Sequence, residues 1–189
     1  MSKTLKSILI VIGIIIILAI PVVSGYNKMV TLDQTVTSAE GDIETELQRR
    51  NDLIPNFVNT VKGYATHEKE IFTEVADARA KLGGATNVEE RANADAALSS
   101  SLSRLLVVVE NYPELKANQN FRDLSVELEG TENRIKIKRQ EYNDAVKNYN
   151  TTIRKFPNSI LAGVFGFEQK DYYKAAEGAK EVPKVDFTK

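Results

Sequence analysis

The sequence contains no cysteine and no tryptophan, and only one histidine among its 189 residues. Without cysteine there are no disulfides, no thiolate nucleophile, no iron–sulfur or cysteine-bound zinc site, and no lipobox residue to carry a lipid. The histidine shortage is equally restrictive. His67-Glu68 matches the opening of a zinc-binding His-Glu-x-x-His helix, but the second histidine position is held by Ile71. A two-metal carboxylate cage inside a helical bundle needs a Glu-x-x-His pair on each of two helices, which one histidine cannot supply. His67 therefore reads as a surface residue on a polar helix face, and Glu68, Glu70 and Glu74 as a solvated face. No cofactor and no metal is expected.

Neither sign of charge is in excess. Lysine and arginine total 25, aspartate and glutamate 26. No basic face is needed to account for this balance, so nucleic acid is not an expected partner. Catalytic signatures are also scarce. Ser99-Ser100-Ser101-Leu102-Ser103 supplies hydroxyls without a glycine-flanked nucleophile elbow, and a serine triad would have to recruit His67 from another helix. Gly83-Gly84 lacks the lysine and hydroxyl residue of a phosphate loop and reads as a turn.

What the sequence does have is one long uncharged apolar run, Ser7 to Val23 (SILIVIGIIIILAIPVV). As a helix, seventeen residues cover about 26 Å, against a hydrocarbon core of about 30 Å. Leu5 extends the run, and Lys6 can snorkel to the headgroups. Lys3 and Lys6 precede it, and only Lys28 follows it closely. The positive-inside bias puts the leading flank in the cytoplasm and the remainder outside. A cleaved signal peptide is the rival reading, since Val23-Ser24-Gly25 offers small residues at the right spacing and Pro21 would break the helix just before them. The length of the run favours a retained anchor. About 165 residues remain, the size of one ordinary domain.

The rest is helical in pattern. Met29, Leu32, Val36, Ala39, Ile43 and Leu47 form one stripe at three- and four-residue steps. Asn51-Asp52-Leu53-Ile54-Pro55 reads as a break, with Asp52 or Asn51 capping the next helix and Pro55 in its first turn. That helix carries Ile54, Val58, Val61, Ala65, Phe72, Val75 and Leu82, and ends at Gly83-Gly84. Thr86 or Asn87 caps a third, with Leu98, Leu102, Leu105, Val109 and Tyr112 on its seam and Pro113 closing it. A fourth and longest helix runs from Phe121 to Phe156, its seam including Leu124, Leu128, Ile135, Tyr142, Ala145 and Tyr149. Ile160 to Phe167 is apolar but interrupted by glycines. Packing on the bundle is its default role, with a neighbouring subunit or the membrane surface as alternatives. Tyr172 to Lys180 is expected to form a short helix before a frayed end. No strand-like alternation competes, and stripes of this kind joined by short turns specify an antiparallel bundle. The expected fold is all-α: a stub and anchor over 1–24, a long antiparallel bundle of three to four helices over 25–157, and a C-terminal segment over 158–189.

Several ordered motifs add to this. Tyr26-Asn27, LQRRNDLIPNFVNTVKGYATHE (Leu47–Glu68), ENYPELKANQNF (Glu110–Phe121), LEGTENRI (Leu128–Ile135), YNDAVKNYNTTIRKFPNSILAGVFGF (Tyr142–Phe167) and PKVDF (Pro183–Phe187) closely resemble the LemA family of bacterial membrane proteins. The likeness covers nearly the whole chain after the anchor. One departure is Glu40 after Ala39, where the family often carries a tryptophan; it implies a solvent-facing or differently packed position. The resemblance implies an N-terminal transmembrane helix, an all-helical domain and a bacterial envelope location, and it brings no catalytic residues with it.

The resulting expectation is a non-enzymatic scaffold or adaptor, single-pass in the bacterial inner membrane, that binds proteins and associates with itself. The alternatives are an accessory subunit of an envelope enzyme working through paired carboxylates, and a helical sensor that holds a small molecule in an apolar cavity. The expected interaction surface comprises Arg49, Arg50, Asp52, Pro55 and Asn56 at the helix junction, and Phe165 and Phe167 beyond the last long helix. The bland reading of the junction is that its arginines satisfy helix-ending carbonyls.

Overall fold

A computed structural model describes residues 3–174. Among these residues all regular structure is helical: α1 Lys3–Lys62, α2 Lys69–Gly83, α3 Val88–Val109, α4 Pro113–Ala117, α5 Gln119–Arg154 and α6 Asn158–Phe165. The helix expected over Tyr172–Lys180 begins in a segment without helical structure, and its part from residue 175 lies outside the described residues, as does Pro183–Phe187.

The expected break at Asn51–Pro55 is absent, and α1 runs through it. Proline in a helix interior removes one bond to the carbonyl four residues earlier. Here that carbonyl is Asn51 O, and Arg79 Nε of α2 donates to it at 3.2 Å. The apolar stripe also continues without a change of phase, with Leu47, Ile54, Phe57, Val58 and Val61 all buried. The chain turns instead at residues 63–68, where His67 is exposed in the turn rather than on a helix face.

Other ends follow local chemistry. Asn87 caps α3, its side chain accepting from Glu90 N at 2.8 Å, while Thr86 N and Oγ1 donate to Glu90 Oε2 at 2.9 and 2.8 Å. This is a variant of the capping box in which the carboxylate reaches back one residue past the cap, to Thr86. Pro113 opens α4 at the position where no helical amide is lost. Asn118 Oδ1 accepts from Phe121 N at 3.1 Å at the start of α5. Gly166 adopts φ 75 and Phe167 N bonds Ala162 O at 2.9 Å, closing α6 in the left-handed geometry that glycine permits. Ile160–Phe165, expected to be glycine-broken, is therefore helical.

The chain divides into two compact units, one built from residues up to Gly41 with Glu141–Lys170, the other from Asp42–Gln140 with the segment starting at Asp171. In the second unit, cross-helix pairs give the register. Asp42 with Lys138, Glu46 with Arg134 and Arg49 with Glu127 climb α1 while descending α5. α2 and α3 are joined by only four residues, 84–87, and Glu74 pairs with Arg104 across them, so the second helix turns back along the first. Both helix pairs are antiparallel. These exposed pairs contribute at most about 1 kcal/mol each, so they report register more than stability. The core between them holds Ile43, Leu47, Ile54, Phe57, Val75, Leu98, Leu105, Leu115 and Ile135, with Phe57 stacked on Phe121 at 5.4 Å.

In the first unit, Met29 and Val36 of α1 are buried with Tyr142, Val146, Tyr149 and Ile153 of α5. Asn150 pairs through both amide atoms with the backbone of Lys170, each bond 2.9 Å. Lys170 Nζ meets Asp33 at 3.0 Å and lies over the Tyr149 ring. Phe156, expected on the α5 seam, is 82% exposed because α5 ends at Arg154. Large apolar side chains of the first stretch of α1 are exposed, among them Ile10, Ile17 and Ile20.

Candidate functional site

The most concentrated chemistry in the second unit is a buried charge cluster centred on Asp95. Asp95 lies on α3, three residues before Leu98 and in phase with the apolar seam, and is fully buried. One carboxylate oxygen pairs with Arg50 of α1, and the other with Arg139 of α5. Tyr173, beyond the last helix, donates its hydroxyl to the second oxygen at 2.9 Å. Arg139 also rests its guanidinium 5.1 Å from the centre of the Tyr173 ring. Arg50, only 1% exposed, extends the cluster outward: its Nη1 pairs with Glu132 of α5 and donates to Ser99 Oγ at 3.0 Å.

Desolvation shapes this cluster. Burial pushes the Glu132 carboxyl up from its usual range, with the Ser99 hydroxyl pulling the other way. Burial presses the Arg139 guanidinium down, opposed by Tyr173, and lifts the Tyr173 phenol, opposed by Arg139. A raised phenol stays protonated, so Tyr173 keeps its role as donor to Asp95.

Above Arg50 a cleft of about 440 Å³ opens between α3 and α5. Phe57, Leu102, Leu106 and Leu128 supply apolar walls, while Arg50, Ser99 and Glu132 form its polar base. Glu129 joins Glu132 in the lining, one helical turn away on α5. Glu132 is already tied to Arg50 and Ser99, which gives it a structural task. No group of three or more metal-ligating side chains occurs among the described residues. The serines near the cleft make helix bonds: Ser101 donates to Leu98 O and Ser103 to Ser99 O, both at 2.9 Å.

The residues expected to form an interaction surface divide between the two units and differ in exposure. Arg50 does not reach the surface, because Asp95 and Glu132 hold it in the core. Arg49 is exposed and pairs with Glu127. Asp52 is exposed and accepts from Gln48 Nε2 at 2.8 Å, Pro55 is half-buried within α1, and Asn56 is exposed. Phe165 and Phe167 belong to the first unit, where both meet Tyr26 edge-on at 4.9 and 5.7 Å. Asp95, Arg139 and Tyr173 carry no motif. The one available signal is the phase of Asp95, a carboxylate placed where the α3 seam calls for an apolar residue.

Comparison with known proteins gives a consistent result. The model of the LemA family matches residues 39–187. The chain is similar to magnetosome protein MamQ 1 of Paramagnetospirillum magneticum, 27% identical over 175 residues, covering 79% of this chain and 64% of the relative. It is similar to magnetosome protein MamQ of Magnetospirillum gryphiswaldense, 26% identical over 174 residues with coverages of 78% and 64%. Protein LemA of Metamycoplasma hominis is 24% identical over 165 residues, covering 85% of this chain and 72% of that protein. The chain thus spans 64% of the length of its magnetosome relatives. None of these names is that of an enzyme.

Proposed function

The chain belongs to the LemA family, and from that footing we propose that it is a membrane-anchored helical scaffold of the bacterial envelope, acting through protein contacts and self-association rather than catalysis. The observation that carries this reading is α1 itself. One unbroken helix bears an apolar stretch long enough to cross a bilayer and then the buried stripe of the bundle. In this reading residues 1–24 are the anchor and the inner membrane is the site. Lys3 and Lys6 keep their flank in the cytoplasm, and the helical domain lies outside. Self-association is supported by large exposed apolar residues on the bundle helices, Val107 of α3 and Val126 and Ile137 of α5. The absence of native cysteine makes the test clean. Single cysteines at Val126 or Ile137 should give a disulfide-linked dimer when intact membranes are oxidised. A full-length chain that stays monomeric at both positions and co-purifies with no other protein defeats the scaffold.

A second reading is favoured by the cleft beside Arg50. Its volume and apolar walls suit a small apolar molecule whose polar end meets Ser99 and Glu132. N-phenylnaphthylamine is a suitable probe. Its fluorescence should rise on adding the protein, and Leu102→Glu should abolish the rise; an equal rise with the variant removes the cleft from consideration.

A further inference from the structure

We infer that α6 is a second membrane contact, lying in the headgroup layer beside the point where α1 leaves the bilayer. The inference rests on the anchor reading above, and everything it uses lies within the first unit.

Contacts with α1 fix the position of α6. Gly25 is buried, and a side chain there would meet Asn158 Oδ1 at 2.8 Å and Leu161 Cδ1 at 3.0 Å. The two helices approach closely at this point, leaving no room for a large side chain. Tyr26 packs edge-on against Phe165 and Phe167. Gly25 is two residues beyond the last residue of the apolar run, about 3 Å along the helix axis. The headgroup region on each side of the hydrocarbon core is about 5–8 Å thick, so α6 sits at that depth. Lys170, a few residues later, meets Asp33, about two helical turns farther from the run.

The face that α6 turns away from α1 is apolar apart from Ser159 at its edge. Asn158, Leu161, Ala162 and Phe165 are the residues buried or facing α1, whereas Ile160 and Val164 are 59% and 72% exposed. Phe156, just before the helix, is 82% exposed. Phe156 to Phe167 contains no charged residue, and exposed Arg154 and Lys155 immediately precede it. An apolar face with aromatic residues and flanking cations, held level with a bilayer edge, has the chemistry of an interfacial helix. In water the same face would be an uncovered hydrophobic patch.

The chain has no tryptophan, so single tryptophans report cleanly. Full-length Phe156→Trp, Val164→Trp and, as a control, Thr37→Trp are reconstituted into phosphatidylcholine vesicles with or without brominated acyl chains. Thr37 is exposed and lies about 18 Å beyond Gly25 along α1. Co-flotation with the vesicles tests the anchor separately. The proposal expects blue-shifted emission at positions 156 and 164 that brominated lipid quenches, and unquenched emission at 37. Chains that float but show solvent-like emission at 156 and 164 overturn the lipid contact and leave the anchor standing. Blue-shifted emission that brominated lipid does not quench also overturns it, since protein would then cover the face. Chains that do not float remove the anchor and the α6 contact together.

Discussion

Asp95→Ala should be strongly destabilising, although position 95 is far from any helix end or turn. Asp95 is fully buried and accepts from Arg50, Arg139 and Tyr173. Removing one partner of a buried ion pair typically costs about 3–5 kcal/mol, because the other charge is left in a poorly solvating interior. Two features hold the loss toward the lower end. Arg50 keeps Glu132 and Ser99, and the Arg139 side chain is 26% exposed and can turn toward water. We expect about 3 kcal/mol, which for a chain of this size lowers the melting temperature by about 6–12 °C. Thermal melts of the full-length protein in detergent, followed by far-UV circular dichroism, measure this. Asp95→Asn keeps the shape and removes the charge, and should cost a similar amount. Replacing the network together, with Arg50→Met, Asp95→Leu, Glu132→Gln and Arg139→Met, leaves no buried charge unpaired and should recover part of the loss. A loss below about 1 kcal/mol for Asp95→Ala, comparable with the exposed Arg49–Glu127 pair, would refute the reasoning.

Three further outcomes follow from particular contacts. Arg79→Ala should cost about 1 kcal/mol in the native chain and less in a Pro55→Ala background, where the substituted residue supplies its own amide to Asn51 O; equal costs in a double-mutant cycle would separate Arg79 from the proline. Gly25→Leu should push α6 off α1 and speed amide exchange over 158–165, whereas Gly25→Ala should be tolerated because Asn158 and Leu161 meet it with side-chain ends; unchanged exchange in Gly25→Leu would contradict the close packing. The third concerns alkaline pH. The Tyr112, Tyr149 and Tyr173 phenols are raised chiefly by burial, and Lys170 is raised chiefly by its hydrogen bond with Asp33. For each group the folded chain holds its proton more tightly than the unfolded chain, so this stability is intact below about pH 10 and is lost as pH rises through the folded values. Melting temperature should fall above about pH 10, and less steeply in Tyr173→Phe; a flat alkaline limb would contradict these shifts.

The helical class and the seams were legible because the apolar spacing is local. Met29, Val36, Ile43, Leu98, Leu105, Ile135 and Tyr149 are all buried as their three- and four-residue steps imply. The errors came where distant residues overrode local signals. Pro55 reads as a break until Arg79 supplies the missing donor. Arg50 reads as an exposed tip until Asp95, 45 residues away, draws it inward. Gly163 and Gly166 suggested an interrupted segment, yet Gly163 is an exposed helical position and Gly166 is the left-handed residue that ends α6. The cleft was not legible, since it depends on how far α3 and α5 separate, and no spacing in either helix encodes that.

The Asp95 cluster also bears on how this chain is synthesised. Translation delivers Arg50 and Asp95 early, whereas Tyr173 emerges 78 residues after Asp95. A ribosome-bound chain that has made α3 but not the later residues holds a carboxylate whose second oxygen has no committed donor, and water must stay with it. Full enclosure of Asp95 is thereby deferred until Arg139 and then Tyr173 have been made, so α3 waits on partners from α5 and from beyond the last helix.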